Sequence, residues 1–285
     1  MTHTHFAHLS QRIFNVPLAV RPDKAEVAIA AVADRLGLAR ITRSDGACLT
    51  PAAAARAAIE ADPWLAEPGG SPDRRGYDVL AGVAVIEVQG MLVQRLGTLR
   101  PYSGMTGYDG LRQNLLTALS DPQVRAIALD LDSPGGEVSG CFDLVDTVFA
   151  LRGRGKPIWG ICAEGAYSAA YAIASACDRI TVPRTGGAGS IGVITMLADY
   201  SKALDEEGIT VHFVHYGERK AEEGRAKYTG VKPDLLKRIQ AEIDVVGELF
   251  TATVARNRGL TTDAVRAQQA ACFMGAAAVA QGLAD

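Results

Sequence analysis

Between Gly82 and His215 short β-branched runs alternate with amphipathic stretches of helical period, and that alternation restricts the chain to α/β architectures. The pattern predicts strand Gly82 to Val88, helix Gly107 to Leu119, strand Val124 to Leu131, helix Val138 to Leu151, strand Pro157 to Ala163 and helix Ser168 to Ala176. Strands Arg179 to Val182 and Gly192 to Leu197, helix Ser201 to Glu207 and strand Thr210 to His215 follow. Strands joined through helices form a largely parallel sheet, whose sites lie beyond the carboxyl ends of the strands. From Pro233 to Arg258 apolar residues recur every three or four positions, from Leu236 through Val254. One long helix is expected there, packed on the sheet or on another subunit.

The first 76 residues read differently. Helices are expected over Pro22 to Leu38 and over Pro51 to Ala61, the latter with Thr50 as cap and Pro51 at its first position. Residues 67–76 cluster proline, glycine and charge without periodicity, as a linker does. We therefore expect a small helical N-terminal appendage and linker over 1–76 and a main domain over 77–285.

Composition narrows the function. The formal net charge of −3 is spread without long like-charge blocks, which disfavours nucleic acid and anionic membrane surfaces as partners. No basic start followed by an apolar stretch opens the chain, and no apolar run is long enough to span a bilayer, so no membrane association and a cytoplasmic location are expected. The five cysteines are scattered without a C-x-x-C pair and read as small buried hydrophobes. His3, His5 and His8 lack carboxylate or cysteine partners nearby and read as part of a polar tail rather than a metal site. No cofactor or metal is expected.

Four segments carry residues suited to chemistry. Asp132-Ser133-Pro134-Gly135-Gly136-Glu137 closes an apolar strand before a helix, and its glycine pair reads either as a tight turn or as backbone N–H groups offered to an oxyanion. Ser168, in Gly165-Ala166-Tyr167-Ser168-Ala169-Ala170-Tyr171, stands at a predicted helix start, as a cap or as a nucleophile favoured by the helix dipole. It lacks the G-x-S-x-G pattern of α/β-hydrolases. The glycine-rich loop Thr185 to Val193 contains no lysine and so is not a phosphate-binding P-loop. Lys220, in Gly217-Glu218-Arg219-Lys220, reads on its own as a surface lysine.

In their order, these segments resemble the successive signatures of the signal peptide peptidase A family, serine peptidase family 49, over roughly Val79 to Asp285. The closing segment from Phe273 to Asp285 is similar as well. The resemblance implies a Clp/crotonase-like fold and a serine endopeptidase. Ser168 would be its nucleophile, Lys220 its general base, Ser190 a hydrogen-bond partner of that lysine, and the backbone N–H groups of Gly136 and Ala169 its oxyanion hole. It further implies a homo-oligomer in which adjacent domains or protomers supply the serine and the lysine. The opening Arg12 to Val20 and the following helix look like the tailed-phage branch, capsid assembly proteases acting on scaffold or capsid protein, which would place the chain inside an assembling procapsid. The chain departs from the family's commoner pattern in carrying Ala169 and Ala170 where a glycine pair usually follows the nucleophile.

Three rivals are weighed against this reading. A Ser-His-Asp triad would draw on His212 or His215, whose spacing on a strand sends them to opposite faces. A crotonase-type acyl-CoA enzyme would need Glu137 or Glu164 as base and would leave Ser168, Ser190 and Lys220 without a role. An inactive scaffold-binding relative would not react with a serine-directed probe.

Overall fold

A computed structural model describes residues 75–217 and 219–285, together with the short strands β1 (Leu18–Val20), β2 (Ile41–Thr42) and β3 (Cys48–Leu49). The helices expected over Pro22 to Leu38 and Pro51 to Ala61 lie outside the described residues, as do His3, His5 and His8. β2 and β3 form an antiparallel pair of their own.

The main body is built on a nine-stranded sheet of mixed but mostly parallel pairing. Its spine is β4 (Asp78–Leu80), β5 (Val83–Val93), β7 (Ala126–Glu137), β8 (Ile158–Tyr167), β10 (Gly187–Gly189) and β11 (Cys272–Met274), adjacent in the order β11-β10-β8-β7-β5-β4. The β5–β7, β7–β8 and β8–β10 pairs are parallel, whereas β4 and β11 close the two ends antiparallel. β6 (Met105–Gly107) extends the β5 edge and β9 (Arg179–Thr181) pairs with β8. The α/β architecture expected from the sequence, with a largely parallel sheet and flanking helices, is the one observed.

The alternation along each strand explains the layering. Ile86 and Val88 of β5, Leu129 and Leu131 of β7 and Ile158 and Cys162 of β8 are buried. They meet helices α1 (Tyr108–Ser120), α2 (Cys141–Leu151) and α3 (Ala169–Ser175) in one core. Every residue of α3 is buried, and its Ala-rich sequence lets it sit close against β7 and β8. Tyr171 is the one aromatic side chain of this helix, and its hydroxyl donates to the Leu283 carbonyl at 3.0 Å, tying the C-terminal segment to the core.

The C-terminal half of the sequence departs from expectation in one respect. No strand forms over Gly192 to Leu197 or over Thr210 to His215, although both are β-prone. A strand needs a neighbour along its length to complete its ladder, and in the first segment only Ile194 makes an isolated bridge. Between Val193 and Leu249 only Ala226 and Leu235 are buried among the described residues. That stretch contains α4 (Ser201–Glu206), α5 (Glu222–Thr229) and most of α6 (Pro233–Arg258). α6 has the bounds expected, with proline in its first turn and Gly259 in the left-handed conformation at its end. Its two halves differ: Phe250, Val254 and Ala255 are buried, while Leu236, Val245 and Leu249 are exposed. Beyond it come α7 (Thr262–Ala267), β11 and α8 (Ala276–Ala280).

Candidate active site

β7 does not turn at its glycine pair. It continues extended through Ser133-Pro134-Gly135-Gly136 to Glu137, and α2 begins only at Cys141 after Gly140 in the left-handed region. The tight turn considered from the sequence is thus replaced by a strand whose side-chain-free stretch lies at the carboxyl end of the sheet. Gly136 pairs with Leu92 of β5 so closely that a Cβ there would run into the Leu92 carbonyl oxygen. Gly135 has φ +107°, which L side chains rarely adopt.

This stretch is held by side chains that the motif reading passed over. The Ser133 hydroxyl donates to the Gly90 carbonyl at 2.7 Å and accepts from the Gly135 N–H at 3.1 Å. The Tyr108 hydroxyl, from the first residue of α1, donates to the Glu137 carbonyl at 2.7 Å. Burial drives that phenol well above its ordinary pKa, so it stays a donor. The Glu137 carboxylate accepts from the Gln94 N–H at 2.6 Å, which gives it a structural role instead of that of a free base. A serine two positions before a glycine pair was the available signal for Ser133; nothing local marked Tyr108.

β8 carries the second segment to the same end. Ala166 pairs with Ser133, and one residue past the end of β8 the chain reaches Ser168. Ser168 is fully buried and has φ +55° and ψ −122°, a combination costly for any residue with a Cβ. The sharp strand-to-helix turn that G-x-S-x-G sequences use is therefore present in geometry without the outer glycines of that pattern. The Ser168 N–H donates to the Gly189 carbonyl at 2.8 Å and its carbonyl accepts from the Ala172 N–H, starting α3. Ala169, the first residue of α3, belongs to the turn whose N–H groups have no acceptor within the helix. The Ser168 hydroxyl lies 3.4 Å from the Gly192 carbonyl.

The glycine-rich loop forms β10 beside β8 and brings Ser190 to the turn. Ser190 also has φ +55° and is buried, its N–H donating to the Ala271 carbonyl at 2.9 Å and its carbonyl accepting from the Gly192 N–H at 3.0 Å. Ser168, Ala169 and the loop around Ser190 are thus brought together, and the last β7–β8 pair, Ser133 with Ala166, brings the start of the Gly135–Gly136 stretch to the same end of the sheet. Lys220 is not among them in the single chain. It is exposed in a turn before α5, its N–H donating to the Gly217 carbonyl, and among the described residues it hydrogen-bonds neither Ser168 nor Ser190. His212 and His215 are exposed too, with His215 Nδ1 2.9 Å from the Gly217 carbonyl oxygen. Glu164 is exposed.

Cys141, Cys162 and Cys177 are buried as expected, with burial pushing the Cys141 and Cys162 thiols up to about 12, while Cys272 is exposed. Among the described residues no group of histidine, cysteine or carboxylate side chains could hold a metal, and no helix is long and apolar enough to cross a membrane.

Residues 150–285 match the family model described as Peptidase family S49. The chain is 37% identical over 281 residues to the head-tail preconnector protein GP5 of Enterobacteria phage P21, covering 99% of this chain and 55% of that protein. It is 36% identical over 279 residues to the capsid assembly protease C of Escherichia phage lambda, covering 98% and 62% respectively. Similarity extends to Protease 4 of Haemophilus influenzae, at 26% identity over 229 residues, covering 80% of this chain and 36% of that one. The chain thus spans between half and two thirds of the length of these two phage relatives.

Proposed function

The chain carries a peptidase family S49 domain over residues 150–285, and from that premise we propose that it is a serine endopeptidase with a Ser–Lys dyad, acting on scaffold or capsid protein during phage head maturation. The observation that carries the reading is the backbone of Ser168, a buried serine held at φ +55° where β8 turns into α3. Strained backbone of this kind clusters at active sites.

In the proposed reaction the Ser168 Oγ attacks the scissile carbonyl carbon and its proton passes to the neutral amine of Lys220. The carbonyl oxygen becomes an oxyanion, met by the N–H groups of Gly136 and Ala169. Collapse expels the amine half of the substrate, which takes the proton from Lys220, and water then cleaves the acyl-enzyme by the same route. An ordinary lysine is protonated at neutral pH, so Lys220 acts as base only once it is desolvated or set in positive potential. In the single chain Lys220 lies exposed in the turn before α5. The reading therefore includes assembly: a neighbouring copy completes the site and buries the lysine, with Ser190 as its hydrogen-bond partner. The relatives' printed names, a capsid assembly protease and a head-tail preconnector protein, support the substrate class and a setting in the host cytoplasm within the procapsid.

The test is labelling with a serine-directed fluorophosphonate followed by peptide mass spectrometry. A single adduct on Ser168, lost in Ser168→Ala, is the expected result. Absence of any adduct from assembled protein would favour an inactive scaffold-binding relative.

A further inference from the structure

β1 lies where it closes the edge of the proposed site. Its three residues pair antiparallel with β7 in the register Leu18 with Glu137, Ala19 with Gly136 and Val20 with Gly135. Gly135 and Gly136 pair at the same time with Met91 and Leu92 of β5. A strand has two edges, so β1 occupies the edge opposite β5, which is the β8 side. β8 itself leaves that side after Ala166, opposite Ser133, and reaches Ser168 two residues on. Two residues beyond Ser133 is Gly135, the partner of Val20. Leu18-Ala19-Val20 therefore fills the slot that opens between β7 and the Ser168 turn.

We infer that this slot is a strand-acceptor site for an extended peptide, and that the chain's own Leu18–Val20 occupies it as a substrate mimic. The inference rests on Ser168 being the nucleophile only for its consequence, not for the docking itself. Backbone pairing at an open edge accepts an added strand with little regard to sequence. Gly135 and Gly136 present no side chain there, so a second backbone can approach the edge unobstructed. Leu18, Ala19 and Val20 carry no charge, and Pro17, immediately before them, has no N–H with which to lengthen the ladder on that side. The paired stretch is three residues long. With β1 in place both edges of the glycine stretch are taken. A substrate strand and β1 exclude one another, and displacement of β1 opens the site.

The experiment uses the full chain, Ala19→Pro, which removes the backbone N–H at the middle of β1, and Val20→Asp, which replaces an apolar residue of β1 by a charged one. Two readouts are taken: hydrogen exchange at the amides of Gly136 and Glu137, and the rate of fluorophosphonate labelling of Ser168. Successive N–H groups of a strand point to opposite edges, so one of these two amides faces β1. Loss of one or two ladder bonds should raise exchange at that amide and the labelling rate by roughly tenfold in both variants. A synthetic peptide spanning Phe14 to Arg21 should restore protection and slow labelling of the variants. Exchange at Gly136 and Glu137 that is the same in the full chain and in both folded variants would overturn the inference. Exchange that responds while Ser168 is never labelled would leave the docked strand standing and remove the nucleophile assignment; equal labelling with unresponsive exchange would do the reverse.

Discussion

At Ser168 backbone strain and chemistry meet in one residue. Its φ of +55° disfavours any side chain, so the cost of the turn is independent of the hydroxyl. Ser168→Gly should accordingly be more stable than Ser168→Ala by about 1 kcal/mol, although neither reacts with a fluorophosphonate. Thermal unfolding of the two variants checks this, and a glycine variant less stable than the alanine one would contradict the backbone geometry. Gly136 behaves differently. Because a Cβ there meets the Leu92 carbonyl, no substitution removes its N–H without also disturbing the β5–β7 ladder. Loss of activity in a Gly136 variant would report folding and catalysis together.

The glycine stretch of β7 is an element positioned from outside itself. Ser133 bridges it to Gly90, and Tyr108 fixes its last carbonyl. Ser133→Ala leaves the Gly135 N–H and the Gly90 carbonyl without that partner in a buried setting, which should cost about 1–3 kcal/mol. Urea denaturation measures the loss, and Ser133→Thr, which keeps the hydroxyl, should recover most of it. An unchanged midpoint in Ser133→Ala would mean that water replaces the hydroxyl without penalty.

At the scale of the molecule, the C-terminal end locks the sheet. The Asp285 carboxylate accepts from the Ile180 N–H at 2.8 Å and pairs with Arg258, whose side chain is only 8% exposed. Burial raises the Asp285 pKa, but the Arg258 and Ile180 hydrogen bonds together outweigh it and hold the carboxyl below its ordinary value. A carboxyl lowered in the folded state contributes stability above its unfolded pKa and loses it as pH falls through the folded one. Asp285→Asn should thus be less stable than the parent at neutral pH, with the gap closing below the usual carboxylate range in acid titrations followed by circular dichroism. A gap independent of pH would assign the effect to packing alone. The stretch from Val193 to Leu249 belongs to the same scale, because it carries Lys220 and two β-prone segments that do not form strands. Mixing inactive Ser168→Ala with inactive Lys220→Met should restore activity in roughly one site in four if neighbouring copies in a closed ring complete one another. No recovery, with subunit exchange verified by native mass spectrometry, would place both residues in one chain's site.

The alternation of β5, α1, β7, α2, β8, α3 and β9, the α/β class, the bounds of α6 and the position of Ser168 at a helix start were legible in the sequence. Each follows from a local period or a local stop signal: β-branched runs, three-and-four spacing, Pro233 and Gly259. Tertiary structure alone decided the rest. It carried β7 straight through Gly135 and Gly136, set Ser168 in a strained turn, laid Leu18–Val20 along the glycine edge, and left 192–197 and 210–215 without strands. These outcomes depend on which distant segment supplies the ladder partner or the covering face. A residue's own period says that it can pair or be buried; only the folded neighbours fix with what.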